Sequence, residues 1–266
     1  MKYILIDGSY FVFYRVFALC VWWRNAKPED KLDDPALNET FVEKFKSTFI
    51  DKIKEMPKKL GFKKEEHEIY VGLDCPQSEI WRAKHFQEYK HGRNVEKTKE
   101  ANIAYFFNLT LKENLFEKAG IKNTFKHEHL EADDCIYLAS EKLKSNNEIY
   151  IISSDHDYLQ LASDNIKIFD LKYKNISESK NSFGCPEKDL FSKIILGDKS
   201  DNIQPVFKNK KVGKKTVEKL YENKGLLYEM LSKDSVALEQ FEKNTILIDM
   251  KHIPYELVSS FNKIYF

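Results

Sequence analysis

Three short apolar runs, far apart in this 266-residue chain, each finish on an aspartate. KYILID reaches Asp7 and is followed by Gly8, EIYVGLD reaches Asp74, and EIYIISSDHD reaches Asp155 and Asp157. Short apolar runs bounded by turn signals and separated by helical patterns predict buried parallel strands. Ligands bind outside the carboxyl ends of the strands in open parallel sheets. Asp7, Asp74 and Asp155 are therefore expected on one edge of one sheet. IKIF before Asp170 also ends on an acid, and Asp170 is read as a turn residue. Taken alone, SSDHD has a simpler reading as a solvated turn, since Asp and Ser bond readily to nearby backbone.

Period and punctuation outline the rest. Strand 3–7 leads to a mostly buried helix from about Tyr10, and a polar loop, NAKPEDKLDDPALN, precedes an amphipathic helix over 39–56. Strand 69–73 is followed by a charged region of helical composition, 78–100, without a clear apolar stripe. A helix over 102–119 stops at Gly120, and one over 131–144 carries Ala132, Cys135, Ile136, Ala139 and Leu143 at helical spacing. Strands 149–153 and 166–169 and a helix near 187–196 complete an α/β part; beyond Gly197 the pattern is helix and loop.

Length allows one large core or a main domain with an appendage. The four cysteines, Cys20, Cys75, Cys135 and Cys185, form no CxxC pair, which argues against a zinc site or a disulfide framework and for a reducing, intracellular setting. Asp7 interrupts the first apolar run too early for a signal peptide. FVFYRVFALCVWW, broken by Arg15, is too short to span a bilayer, so no membrane role is expected.

Two acidic clusters join the strand-end aspartates. LEADDC places Glu131, Asp133 and Asp134 at the start of a helix, and GDKSDNI supplies Asp198 and Asp201. Each has a plain alternative: acids in a first helical turn suit the macrodipole, and GDKSDNI could be a capped turn. With Asp7, Asp74 and Asp155 they make eight carboxylates that a parallel-sheet topology brings to one edge. That many like charges in one cleft would be destabilising without cations. An all-oxygen donor set suits Mg²⁺ or Mn²⁺ rather than zinc. Two such ions about 3.5–4 Å apart form the clamp used for phosphodiester cleavage. No GxxxxGK[ST] loop or Ser or Cys triad competes, so the residues point to metal-dependent phosphodiester hydrolysis.

Net charge is only +1, but the charges are unevenly laid out. IWRAKHFQEYKHGRNVEKTK interleaves Arg82, Lys84, Lys90 and Arg93 with Trp81, Phe86 and Tyr89. Such a mixture suits a nucleic-acid channel, where cations meet phosphates and rings stack on bases; a solvated helix is the alternative. FKNKKVGKKTVEKL sets a Gly-containing turn entering a helix among lysines. Lys210, Lys211, Gly213, Lys214, Lys215 and Thr216 there fit backbone N–H groups and side chains holding duplex phosphates, or else an ordinary surface loop.

In this order IDGSYFVFYR, VGLDCPQSEIWR with EYKHGR, LEADDCI, SSDHDYLQL, ILGDKSDNI and VGKKTVEKL resemble the structure-specific 5′-nuclease family. That family includes flap endonucleases, phage 5′–3′ exonucleases and the nuclease domains of bacterial DNA polymerase I. The resemblance implies a PIN-like α/β nuclease domain over 1–200, its twisted and mainly parallel sheet flanked by helices. It also implies a helical arch at about 78–105 over the active site, and a helix–hairpin–helix and C-terminal helical region over 201–266. By the family pattern Asp7, Asp74, Glu131 and Asp133, with Asp134 adjacent, match a first metal site; Asp155, Asp157, Asp198 and Asp201 match a second. Arg82 and Lys90 match the basic pair that contacts the scissile phosphate, and Phe13 the aromatic that stacks beside it. The expected partner is DNA with a 5′ flap, branch or duplex 5′ end, or an RNA–DNA hybrid, bound by a monomer.

The family's hairpin usually reads like IPGVPGIGxKT, whereas here it is IQPVFKNKKVGKKT. Lost glycines remove tight backbone geometry, which weighs against the K⁺ ion that the family's hairpin often holds; lysines would take over part of its role. No sliding-clamp motif is seen before Phe266, as in a phage or viral type of enzyme. Two rivals stay open: a PIN-type ribonuclease, and a non-catalytic DNA-binding protein that kept the fold.

Overall fold

The structure is a computed structural model that describes residues 1–63, 66–91, 102–208 and 212–266. Five parallel strands form one sheet in the order β3-β2-β1-β4-β5, with β1 Lys2–Asp7, β2 His67–Gly72, β3 Asn123–Phe125, β4 Glu148–Ile152 and β5 Ile166–Phe169. Strand β1 lies at the centre, its Ile4, Leu5 and Ile6 pairing with Tyr150, Ile151 and Ile152 of β4. Successive side chains in a strand face opposite ways. Ile4, Ile6, Tyr150 and Ile152 accordingly enter one core, while Leu5, Ile149 and Ile151 enter another. Layers on both faces explain why these strands read as unbroken apolar runs.

The first layer is α1 (Gly8–Ala26) and α2 (Glu39–Lys59). Asp7 caps α1 by accepting from the Tyr10 N–H at 3.0 Å, and Asn38 caps α2 through the Phe41 N–H at 2.9 Å. Phe41, Phe45, Phe49, Ile53 and Met56 line one face of α2, and Phe49 meets Phe11 of α1 edge-on at 4.9 Å. Helix α3 (Trp81–His85) is a single short turn above the sheet edge. The expected helix over 102–119 is two, α4 (Ile103–Lys112) and α5 (Leu115–Lys118), because Asn114 between them is left-handed at φ +52°. Asparagine tolerates that conformation better than most residues.

The opposite layer is α6 (Ala132–Leu143) and α11 (Tyr255–Tyr265). Cys135, Ile136 and Ala139 of α6 pack with Phe261 of α11, and Met250 and Ile253 join them. Between the two lie α7 (Pro186–Leu196), α8 (Lys214–Glu222), α9 (Lys224–Ser232) and α10 (Ser235–Ile248). Phe191, Ile195, Val206, Phe207, Val217, Leu220, Leu227 and Leu231 give these helices their own core. Ile203, Leu247 and Ile248 pack instead with Cys75, Ile80, Tyr89 and Ile194, and the last helix belongs to the α/β body. No helix among the described residues is long and apolar enough to cross a membrane. Asp170 is a turn residue, its Oδ1 accepting from the Lys172 and Lys174 N–H groups at 2.9 Å.

The chain leaves α7 through Gly197, at φ 70° and ψ −172°, a region essentially reserved for glycine. Asp198 and Ile203 then exchange backbone hydrogen bonds of 2.9 and 2.7 Å, folding the loop back on itself. A Cβ on Gly197 would come within 2.6 Å of the Gln204 carbonyl carbon. Gly197→Ala should therefore cost roughly 2 kcal/mol or more in urea unfolding. Gly120→Ala, also at positive φ but facing open space, should cost less.

Candidate active site

Strand order reverses at β1: β2 and β3 lie on one side, β4 and β5 on the other. Such a switch point opens a crevice at the carboxyl ends of the strands, and here it is a cleft of about 480 Å³. Asp7, Asp74 and Asp155 line it together with Glu131, Asp133 and Lys90. The strand-end aspartates do converge.

Each carboxylate is held from behind. Asp7 accepts from Ser153 Oγ and from the Tyr158 hydroxyl, both at 3.2 Å, besides capping α1. Asp74 accepts from the Ala132 N–H at 2.8 Å, at the N-terminus of α6, and the Ser9 hydroxyl donates to its other oxygen. Glu131 is the N-cap of α6 in a capping box with Asp134, whose carboxylate accepts from the Glu131 N–H at 3.2 Å. Asp133, one residue before Asp134, turns toward the cleft.

Asp134 does not face the cleft. Its two oxygens accept from both terminal nitrogens of Arg82 at 2.8 Å, and the Trp81 indole N–H donates to it at 3.0 Å. Arg82 is only 2% exposed and also donates to Glu131 at 3.1 Å and to the Leu247 carbonyl at 2.8 Å. Arg82 thus holds Asp134 and Glu131 from behind, while Asp134 also stands with Glu131 and Asp133 in an acid group with one carboxylate oxygen from each within 4.8 Å of the others. Trp81 and Tyr89 likewise belong to the core rather than to an open channel; the Tyr89 hydroxyl donates to Glu131 at 2.9 Å.

Lys90 does reach the cleft. Its backbone is left-handed at φ 56° and its N–H donates to the Asp201 carbonyl at 2.8 Å. The ammonium pairs with Glu131 and lies 3.6 Å from Asp201. Asp157, Asp198 and Asp201 form the second acid group, with one carboxylate oxygen from each within 4.8 Å of the others. Sequence patterns gave no notice of Lys193, in the last turn of α7. Its ammonium pairs with Asp157, lies 2.8 Å from Asp198 and 4.0 Å from Asp155. The signal available was a lysine five residues before Asp198, across a glycine that folds the loop back.

Other expected residues lie farther out. Phe13 is exposed at the cleft wall, 4.6 Å from the Phe17 ring. Lys84 pairs with Glu79 at 3.4 Å on the outer side of α3. Gly213 and Lys215 are exposed at the start of α8, and Thr216 in its first turn is half-buried. Lys214 donates to the Ser182 and Lys180 carbonyls at 3.0 and 3.2 Å, which anchors a neighbouring loop. Arg93, Lys210 and Lys211, and residues 92–101 of the expected arch, lie outside the described residues.

Burial, reinforced by Asp74 and then by Asp155 and Asp133, pushes the Asp7 carboxyl up to about 7. Burial also raises Glu131 to about 7, although Lys90 and Arg82 oppose it. Burial would raise Asp198 too, but Lys193 and hydrogen bonds from Ser200 outweigh it and hold the group at about 2. Burial that lifts two carboxyls in this cleft would be opposed by a cation bound between them. The cleft's donors are oxygens throughout, and hard divalent cations suit them. The residues fit such ions.

Two predictions follow from these contacts. Removing one partner of a buried ion pair typically costs about 3–5 kcal/mol, so Arg82→Met should lose that much stability in urea, and Lys90→Met less. Asp7 and Glu131 bind protons more tightly when folded than when unfolded. Their stabilisation is complete below about pH 4 and is lost as pH rises toward about 7. In EDTA the Tm should fall between about pH 5 and pH 7.5, and saturating Mg²⁺ should flatten that fall. A metal-free Tm that rises across this window would contradict the reading of both groups.

The family described as 5′-3′ exonuclease, N-terminal resolvase-like domain, matches residues 2–188. A 5′-3′ exonuclease of Mycoplasmopsis pulmonis is 28% identical over 213 residues, 77% of this chain and 62% of the relative. Flap endonuclease Xni of Pseudoalteromonas translucida is 29% identical over 213 residues, 76% of each. Against DNA polymerase I of Bacillus caldotenax the chain is 29% identical over 241 residues but spans only 24% of that protein. Among solved structures, the bacteriophage T5 D15 protein co-crystallised with metal ions superposes with a TM-score of 0.65 at 18% identity, covering 99% of this chain and 98% of that one. The likeness to T5 D15 is one of fold.

Proposed function

The chain belongs to the family of 5′-3′ exonuclease N-terminal, resolvase-like domains, and from that premise we propose that it is a divalent-metal-dependent, structure-specific 5′-nuclease acting on DNA. The observation that carries this reading is an acid-lined cleft with Phe13 at its rim, whose Lys90 pairs with Glu131 and lies 3.6 Å from Asp201 of the second acid group.

Asp7, Asp74, Glu131 and Asp133 would hold one Mg²⁺ or Mn²⁺, and Asp155, Asp157, Asp198 and Asp201 a second. Such ions supply Lewis-acid charge at the phosphate and make water a better nucleophile at neutral pH. The chain's own residues do the rest. Lys90 brings a positioned ammonium to the scissile phosphate, where it opposes the charge that grows during attack. Phe13 offers a ring face to the base beside the cleavage point. The exposed N–H groups at the start of α8, with Lys215, meet duplex phosphates away from the chemistry. Arg82 is a positioning residue, fixing Glu131 through its guanidinium and Asp134.

Digestion of end-labelled 5′-flap, blunt duplex and RNA–DNA hybrid substrates, side by side with Mg²⁺ or EDTA, tests the proposal. Cleavage near the 5′ end is expected with Mg²⁺ alone. Asp155→Asn should lose at least roughly hundredfold in single-turnover rate, about 2.7 kcal/mol, while still binding the flap. Absence of Mg²⁺-dependent cleavage on every substrate, or wild-type rates in Asp155→Asn, would overturn it.

A further inference from the structure

The second acid group already holds a cation of the chain's own. Lys193 arrives from the last turn of α7 with its side chain 17% exposed, and places its ammonium among Asp157, Asp198 and Asp155. Nothing in its own helix requires this: an exposed lysine in a last turn would satisfy the macrodipole equally well from solvent. The Gly197 turn folds the following loop back so that Asp198, five residues on, meets it.

An ammonium paired with Asp157 and Asp198 and a divalent ion bound to the same carboxylates cannot coexist. They need the same oxygen lone pairs, and their charges repel at that separation. We infer that Lys193 is a tethered stand-in for the second divalent ion: it neutralises the Asp157–Asp198 group in the metal-free protein and is displaced when the ion enters.

Three consequences attach to that arrangement. The acid group stays assembled without metal, because its charge is balanced from within. The second ion binds more weakly than the carboxylates alone would allow, since its apparent affinity is reduced by the fraction of molecules whose site is free of the ammonium. Once displaced, Lys193 has lost its acid partners at the mouth of the cleft, and a phosphate is the group there with matching charge. The ion that enters and the strand that follows would thus be coupled through one side chain. This inference rests on the proposed metal-dependent reaction for the presence of two ions, but its test does not use the reaction.

Mn²⁺ is titrated into the 266-residue chain without nucleic acid, with free ion followed by its electron paramagnetic resonance signal. The wild type should bind two ions of unequal affinity. In Lys193→Met the weaker of the two should tighten by about tenfold or more, while the Tm in EDTA falls and is recovered by Mn²⁺. If Lys193→Met does not fold without metal, the protein is prepared in Mn²⁺ and the second affinity is read by chelator competition, with Lys193→Gln as the alternative neutral variant. Unchanged or weaker second-site binding overturns the inference, because it would make Lys193 a scaffold that holds the carboxylates in place for the ion. Absence of any Mn²⁺ binding in the wild type would instead bring down the metal-dependent reading itself.

Discussion

Carboxylate repulsion at the carboxyl edge of one sheet is the constraint that the rest of the site is arranged around. Ionised groups within a few ångströms of one another, partly withdrawn from water, raise each other's pKa and oppose folding. The chain answers differently in three places. Arg82 pairs with Asp134 inside the protein, both of them buried. Lys90 and Lys193 sit at the surface of the cleft, each against carboxylates that an ion would need. Among the described residues Asp7 receives hydrogen bonds, from Tyr10, Ser153 and Tyr158, and no ion pair, and its carboxyl rises to about 7. Positive charge is therefore graded from fixed to displaceable to missing.

That gradient separates groups of the same chemical type by task. Adjacent residues on a helix point about 100° apart and do not share a face. Asp133 and Asp134 show the consequence: one turns into the cleft and the other toward Arg82. Glu131 lies between the two roles, contacted by Arg82 from behind and by Lys90 from the cleft. Its position transmits the rigidity of the buried pair to the open site, which is why Arg82 matters to the geometry although its only contact with the cleft lining, among the described residues, is Glu131.

The sequence was most legible where local periodicity sets direction. Strands that end on Asp7, Asp74 and Asp155 had to bring them to one edge once the sheet was parallel, whatever the loops did. Asp157, Asp198 and Asp201 are brought together too, although only the folding back at Gly197 makes them neighbours. The burial of Arg82 was not legible, because it sits in a basic stretch and its partners are Asp134, distant in the chain, and the Leu247 carbonyl, more distant still. No local pattern carries that information. Strand β3 escaped notice because NTF is too short to show alternation, and its place in the sheet comes from pairing with β2.

Lys193 escaped for a different reason, and it says most about how such sites are built. A lysine in the last turn of a helix has a sufficient local explanation in the dipole, so nothing prompts a search for another. Only the close approach of Asp157 and Asp198, delivered by two separate loops, turns an ordinary end-of-helix charge into part of an acid cluster. The same physics that makes a group of carboxylates a good ion site makes it attract whatever cation the chain can supply. A polypeptide that gathers acids must therefore either leave them partly protonated, as at Asp7, or fill the gap with its own ammonium, as at Glu131 and Asp198. The first group waits on pH and the second on displacement, so the two halves of one cleft respond to different variables before any substrate arrives.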